Sequence, residues 1–491
     1  MRKASAAATM ALLLASVAGC ATLESSQGVS TQASADLNSW SSDVDKQLAE
    51  MNASGTVSSY ASPGQVLDDR PVIGIGELYR TGLSSNHRIA AASAQVQAAD
   101  AELANAALRF FPSVTGRASM TGTYQDIIDS DNQVFQQGEA YYETSNVALE
   151  MRMPIVNIES VFNARKTAAA RRKSYVEYID TAQTYVRDLV LAYVDVAEAD
   201  AVLVEYRDRV RLLSNHVAGE RQRSAAGSGS PEAVKRYEQE LANARSQLTL
   251  QETRREVALS RIRELTGETV GGVKGHVDLA ALALPSPDAS TLTNLALRNN
   301  ARYAAKRYEL EVFDDEVRRA AASDFGPTLD AFGSYEYEDR GGSQFGGGAI
   351  TVQGVLGVEL SVPIFNARGN GYQVTTARAR NQQISAELAM VRRETESSIA
   401  LALGNYMLAQ QRITHDRAAV GAGSGLISLV GQRIDAGGAI QGEDLEAKLD
   451  QASYRRQLAQ AEFQLLREWI TIKYLVGAIS EADIAIFDAR S

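Results

Sequence analysis

Four stretches of the chain alternate apolar and polar residues with a period of two, and long stretches of helical spacing frame them in pairs. Val114, Gly116, Ala118, Met120, Gly122 and Tyr124 alternate with Thr115, Arg117, Ser119, Thr121 and Thr123. Val147, Leu149, Met151 and Met153 alternate with Ala148, Glu150 and Arg152. Leu329, Ala331, Gly333, Tyr335 and Tyr337 stand against Asp330, Ser334, Glu336 and Glu338. Ile350, Val352, Gly354, Leu356, Val358, Leu360 and Val362 stand against Thr351, Gln353, Glu359 and Ser361. This pattern predicts strands with one apolar and one polar face, at about 113–125, 141–154, 328–339 and 349–363. Such faces suit a barrel wall between lipid and water, and a soluble antiparallel sheet with one buried face alternates in the same way.

Residues 77–110 are rich in Ala, Gln and Glu and lack proline, which favours a helix. Residues 158–226 also lack proline, and Val186, Leu189, Val190, Tyr193, Val196 and Ala197 recur at three-to-four spacing. Gly227-Ser228-Gly229-Ser230-Pro231 breaks that pattern, with Ser230 placed as an N-cap before a first-turn proline. A third helix then runs to about Leu265. Helices over about 290–325, 367–436 and 442–476 repeat the plan. Each middle helix, of roughly 70 residues, would be on the order of 100 Å long. The run Gly421-Ala422-Gly423-Ser424-Gly425 inside the second long helix predicts a bend, a close helix contact or a local break.

The two halves are copies. Phe110-Phe111-Pro112 matches Phe325-Gly326-Pro327, 215 residues later. Met153-Pro154-Ile155-Val156-Asn157 matches Val362-Pro363-Ile364-Phe365-Asn366, and Thr167-Ala168-Ala169-Ala170-Arg171 matches Thr376-Ala377-Arg378-Ala379-Arg380, both 209 apart. Arg223, Gly227, Arg245, Leu265 and Gly267 match Arg433, Gly437, Arg455, Leu475 and Gly477, all 210 apart. The division predicted is a leader at 1–19, an extended segment at 20–75, a first repeat at 76–267, a linker at 268–287, a second repeat at 288–478 and a tail at 479–491. Four strands are too few to close a membrane barrel, and an open edge cannot face lipid, so a barrel requires several chains.

Composition narrows the function. The formal net charge of -11 argues against a nucleic-acid binder. The sole cysteine, Cys20, follows a positive start at Arg2 and Lys3, an apolar run and Val17-Ala18-Gly19. That is an export signal, and it resembles a bacterial lipoprotein signal, in which the cysteine is acylated and becomes the new N-terminus. An ordinary cleavable signal is the other reading. Ala21 in place of aspartate favours the outer membrane within that resemblance. His87, His216, His276 and His415 are far apart, and no metal site, catalytic set or cofactor loop is expected from them or from Gly74-Ile75-Gly76.

This arrangement resembles the TolC-type outer-membrane efflux proteins, lipidated members in particular, over roughly 77–478. The most specific points are the duplicated Pro-Ile-(Val/Phe)-Asn and the Arg433-Ile434-Asp435-Ala436-Gly437 turn. The resemblance implies a mainly α fold with a transmembrane β part. Three chains would build a twelve-stranded barrel continued by a twelve-helix tunnel in the periplasm. It implies a homotrimer set in outer-membrane lipid, partnered by a periplasmic adaptor protein and an inner-membrane pump. Arg223, Gly227, Arg433 and Gly437 would then mark the adaptor-facing helix tips, and Glu443 and Glu446 an acidic ring at the tunnel aperture. Simple acidic decoration of a helix start is the plainer reading of those glutamates. Type I protein secretion uses the same architecture, and a periplasmic coiled-coil scaffold is an alternative of another class.

Overall fold

The computed structural model describes residues 70–128, 138–274, 284, 288–342, 347–364, 371–436, 438 and 441–488. The leader, Cys20, most of the extended segment, His276 and Gly437 lie outside the described residues. The elements in chain order are β1 (Val72–Gly74), α1 (Ile75–Ser85), α2 (His87–Leu108), β2 (Ser113–Ile127), β3 (Gly138–Asn157), α3 (Ile158–Ala225) and α4 (Pro231–Thr266). They continue with β4 (Gly272–Lys274), α5 (Ala289–Asn299), α6 (Ala301–Phe325), β5 (Thr328–Arg340), β6 (Ala349–Ser361), α7 (Tyr372–Asp435), α8 (Gln441–Leu475) and α9 (Glu481–Asp488).

The duplicated plan is present, with both long helices, at 68 and 64 residues. Local chemistry sets their ends. The Asn157 side chain accepts from the backbone N–H of Ser160 and starts α3. Ser230 caps α4, with Pro231 in its first turn. Two expected helices are each divided. The stretch at 77–110 breaks at Asn86, whose Oδ1 accepts from the N–H of Arg88 and Ile89. The stretch at 290–325 breaks at Asn300, which caps α6 and donates from Nδ2 to the Leu475 carbonyl. α7 runs unbroken through its glycine run, and of the three glycines only Gly423 meets a close helix contact. A Cβ on Gly423 would collide with the Gln451 side chain of α8.

Three further differences stand out. The expected tail contains α9, whose Phe487 is fully buried and meets Tyr193 edge-on at 6.0 Å between ring centres. The linker contains β4, which pairs in parallel with β1. Gly74 therefore does sit at a strand-to-helix junction, where the sequence reading placed none, though no Lys-Ser/Thr follows it.

The four long strands form one antiparallel sheet in the order β2-β3-β5-β6. β2 and β6 are its edges. Helix contacts give a matching order. Nearer the sheet, α3 touches α2 and α6, and α6 touches α7; nearer the tips, α3 touches α4 and α8, and α8 touches α7. Four helices thus stand side by side at either level. Around their middle, α1, α5, α9 and the β1–β4 pair pack on the largest apolar core, which includes Leu189, Tyr193, Trp469 and Ile479. Among the described residues no helix is long and apolar enough to cross a membrane.

Candidate functional site

The functional features lie at the two ends of this rod. At the sheet end, Val147, Leu149, Met151, Met153, Leu356, Val358 and Leu360 are all exposed on the wall. The opposite face is polar and charge-paired. Arg152 Nη1 lies 3.0 Å from Asp330 and 3.3 Å from Glu359 across three strands, and Arg117 lies 3.5 Å from Glu150. An apolar surface backed by a hydrated, ion-paired one is what a strand wall between lipid and water requires.

At the other end two hairpin tips lie side by side. Arg223, in the last turn of α3, sits where a cation complements the helix dipole. Its Nη1 donates to Gln441 Oε1 of α8 at 2.7 Å, and its Nη2 contacts Glu220. Gly227 takes a left-handed φ of 74° that L side chains rarely adopt. That turn lets the Ser228 N–H reach back to the Arg223 carbonyl at 2.9 Å. Arg433 behaves differently. Its Nη1 donates to Glu443 at 3.1 Å and its Nη2 to the Gly438 carbonyl at 2.9 Å, so it closes its own hairpin. The first-tip arginine crosses to the second hairpin, and the second-tip arginine does not.

The expected acidic pair is therefore not bare. Glu443 is ion-paired with Arg433. Glu446 is exposed and contributes to the negative surroundings of Arg236, the residue 210 positions before it. The Arg236 guanidinium is held above its usual range, chiefly by its hydrogen bond to the Tyr237 hydroxyl. Between the two glutamates, Leu445 is buried with Leu213, Val217, Tyr237, Leu241 and Ala244, and fastens α8 to α3 and α4. Gln441 falls within the tip expected at 433–442, and Arg236 is the first-repeat equivalent of Glu446 that breaks the acidic pattern. The part of Glu220 beside Arg223 is what the sequence reading missed.

His216 lies inside this tip. Its Nε2 is 3.4 Å from Glu220 Oε1, and its ring meets Tyr237 edge-on at 4.3 Å. Burial lowers its pKa, with Glu220 opposing. Among the described residues no group of three or more His, Cys, Asp or Glu is arranged to hold a metal ion.

Comparison with known proteins places this geometry. The sequence model of a family described as outer membrane efflux protein matches residues 78–268 and 292–478. The proteases secretion protein PrtF of Dickeya chrysanthemi is 20% identical over 429 residues, which cover 84% of this chain and 90% of PrtF. The solved outer-membrane channel OprN superposes with a TM-score of 0.69 at 20% identity, covering 87% of this chain and 99% of that one. The outer membrane protein VceC of Vibrio cholerae superposes with a TM-score of 0.67 at 16% identity, over 82% and 96%.

Proposed function

The chain belongs to the outer membrane efflux protein family, and from that premise we propose that three copies form a passive duct that carries substrates out through the outer membrane. The observation that carries this reading is the open four-stranded sheet, apolar outside and charge-paired inside, continuous with helices standing four abreast. Edge strands β2 and β6 cannot meet lipid unpaired, so a closed wall needs neighbouring copies. Three copies give twelve strands, well within the range of membrane barrels. The hairpin tips would face a periplasmic adaptor protein, and an inner-membrane pump would supply the energy. No covalent step is assigned to the duct itself. Cys20 would carry the lipid, with the barrel as the main anchor, because one acyl chain holds a protein only marginally.

Reconstitution of the detergent-purified protein into planar bilayers tests the duct. Discrete conductance steps from a species of three chains are expected. Well-folded protein that never inserts would move the assignment to a periplasmic scaffold.

A second reading, a duct for secreted polypeptides, draws support from the extent of the likeness to PrtF. A deletion strain separates the two. Raised sensitivity to small toxic compounds supports efflux, and loss of a protein from the culture medium supports secretion.

A further inference from the structure

Where α8 lies between α3 and α7, a groove of about 320 Å³ opens on one face of the helical wall. That is the lower end of the range of small-molecule sites, roughly 300–1,000 Å³. Glu198 of α3, Leu408 and Arg412 of α7, and Gln460 and Arg467 of α8 border it, and the buried Ala409 and Ala461 form its floor. The duplication shows why it opens here. At the equivalent positions 210 residues earlier, the first repeat carries Gln251 for Ala461 and Val202 for Arg412, and both are buried. The second repeat has exchanged a buried amide for a methyl group and a buried valine for an exposed arginine. Space and a cation arrive together.

The groove faces away from the layer of α1, α5 and α9. On α8, Lys473 pairs with Asp483 of α9 at 3.2 Å and lies over the Trp469 ring, which fixes the side that the layer covers. Gln460, Gln464 and Arg467 form a stripe about half a turn round the helix from Trp469. On α7, Tyr406 is buried on the covered side, with the linker backbone at Leu284 as a hydrogen-bond partner. Leu408 is again about half a turn away, and it is exposed. In a duct the covered side must be the outside, because a layer packed on the inner face would fill the passage. The groove then lines the lumen.

All but one of its charges are committed. Arg467 binds Asp195 at 2.7 Å and also contacts Glu198. Glu468, beside the groove, accepts from Asn405 Nδ2 at 3.2 Å and from Gln464 Nε2. Arg412 is exposed and has neither an ion pair nor a hydrogen bond among the described residues. A guanidinium offers two parallel donors that match a carboxylate, and Leu408, Ala409 and Ala461 offer apolar contact beside it. A neutral molecule would leave the guanidinium unused, and an inorganic ion would leave the apolar floor uncovered. We propose that this groove is a resting site for small organic carboxylates on their way through the duct, with Arg412 holding the carboxylate and Leu408 and the two alanines the apolar body. The proposal rests on the duct reading for its place on the lumen. Because Arg412 stays in contact with water, the site would hold its occupant weakly, as a station on a through route must.

The test uses the full-length protein in detergent and two probes of one shape, naphthalene-2-carboxylate and the neutral naphthalene-2-carboxamide. Calorimetric titration should find the carboxylate bound and the carboxamide weaker by roughly tenfold or more, the loss of hydrogen bonding to a charged group. Arg412→Gln should weaken the carboxylate by a similar factor, and Arg412→Lys should fall between, keeping the charge without the fork. Since Arg412 is exposed and unpartnered, both variants should melt as the wild type does. Equal binding of the two probes would overturn the ligand class, and unchanged binding in Arg412→Gln would overturn the site. In planar bilayers the carboxylate should lower the conductance in discrete events, with dwell times several-fold longer in the wild type than in Arg412→Gln. Open channels that the probe never interrupts, alongside Arg412-dependent binding, would overturn the place on the lumen. Arg412-dependent binding by protein that forms no channel would remove the duct, and the transit role with it, and leave the groove as a binding site.

Discussion

His216 is the one imidazole at the tips whose environment clearly disfavours charge. It is enclosed by α3 and α4, with Glu220 and Arg223 facing it from its own helix and Arg236, Tyr237 and Glu240 from the other. Burial, the largest influence, lowers its pKa, and the two arginines add to that against the two glutamates. The sign follows from linkage. The unfolded chain takes up a proton at about pH 6.5, before the folded tip does. The contribution is therefore complete above that pH and is lost as pH falls through the lower, folded value. Protonation would also draw Glu220 away from Arg223, the residue that ties the two hairpins through Gln441. Hydrogen-exchange protection at the tip, taken relative to the intrinsic amide rate at each pH, should fall between about pH 7 and pH 5. In His216→Leu, which installs the residue its duplicate carries at Leu426, that acid-side loss of protection should be largely gone. An unchanged pH profile would assign the effect to other groups. At this scale the sequence reading was partial. Arg223 and Arg433 could be picked out because they flank turns that recur 210 residues apart, and Glu443 and Glu446 only through the family resemblance. Which arginine crosses between hairpins depends on side-chain reach over 218 residues of chain, and no local spacing encodes that.

At the scale of elements the glycine run of α7 gives a contrast within five residues. Gly421 and Gly425 have open space where a Cβ would go, whereas Gly423 faces Gln451. The Gln451 amide cannot easily retreat, because its Nε2 is bonded to the Val420 carbonyl at 3.1 Å and to Ser424 Oγ at 2.9 Å. Gly421→Ala should stabilise the hairpin by roughly the helix-propensity difference, up to about 1 kcal/mol. Gly423→Val should destabilise it by about 1–3 kcal/mol through overpacking. Thermal melts of the two variants check both signs, and equal effects would mean that the close contact is not what the glycine serves. The long helices and the strands were legible because their periodicity is sustained over many residues. The breaks at Asn86 and Asn300 were not, since each asparagine sits in otherwise helix-favouring sequence and Asn300 is fixed by a carbonyl 175 residues away. The three-residue strands β1 and β4 are too short to show a period of two, and α9 is recognisable only from the core that buries Phe487.

For the whole molecule, the predictions concern anchoring and passage. Cys20→Ser should abolish incorporation of labelled palmitate and still leave trimers in the outer membrane, because burial of a strand wall outweighs one acyl chain; loss of trimers would give the lipid the larger part. With the aperture proposed at the tips, passage would depend on their charge balance. A ring of bare carboxylates would favour cations, but each candidate here has an opposite charge nearby, Arg433 for Glu443 and Arg236 for Glu446. Taken together the four side chains carry no net charge, and both partners of the Arg433–Glu443 pair are substantially exposed. Such a pair contributes about 0–1 kcal/mol, weak enough to be remade when an adaptor docks. The wild-type duct should accordingly discriminate weakly between small ions. Glu443→Gln/Glu446→Gln would uncover two arginines per chain, six around a trimeric aperture, and reversal potentials in a salt gradient should shift toward anion preference. The shift should shrink at high salt, as screening of exposed charge requires. A reversal potential that stays where the wild type has it would place all four residues away from the conducting path. The tips would then be adaptor surface alone, and the narrowest part of the duct would lie elsewhere along the helices.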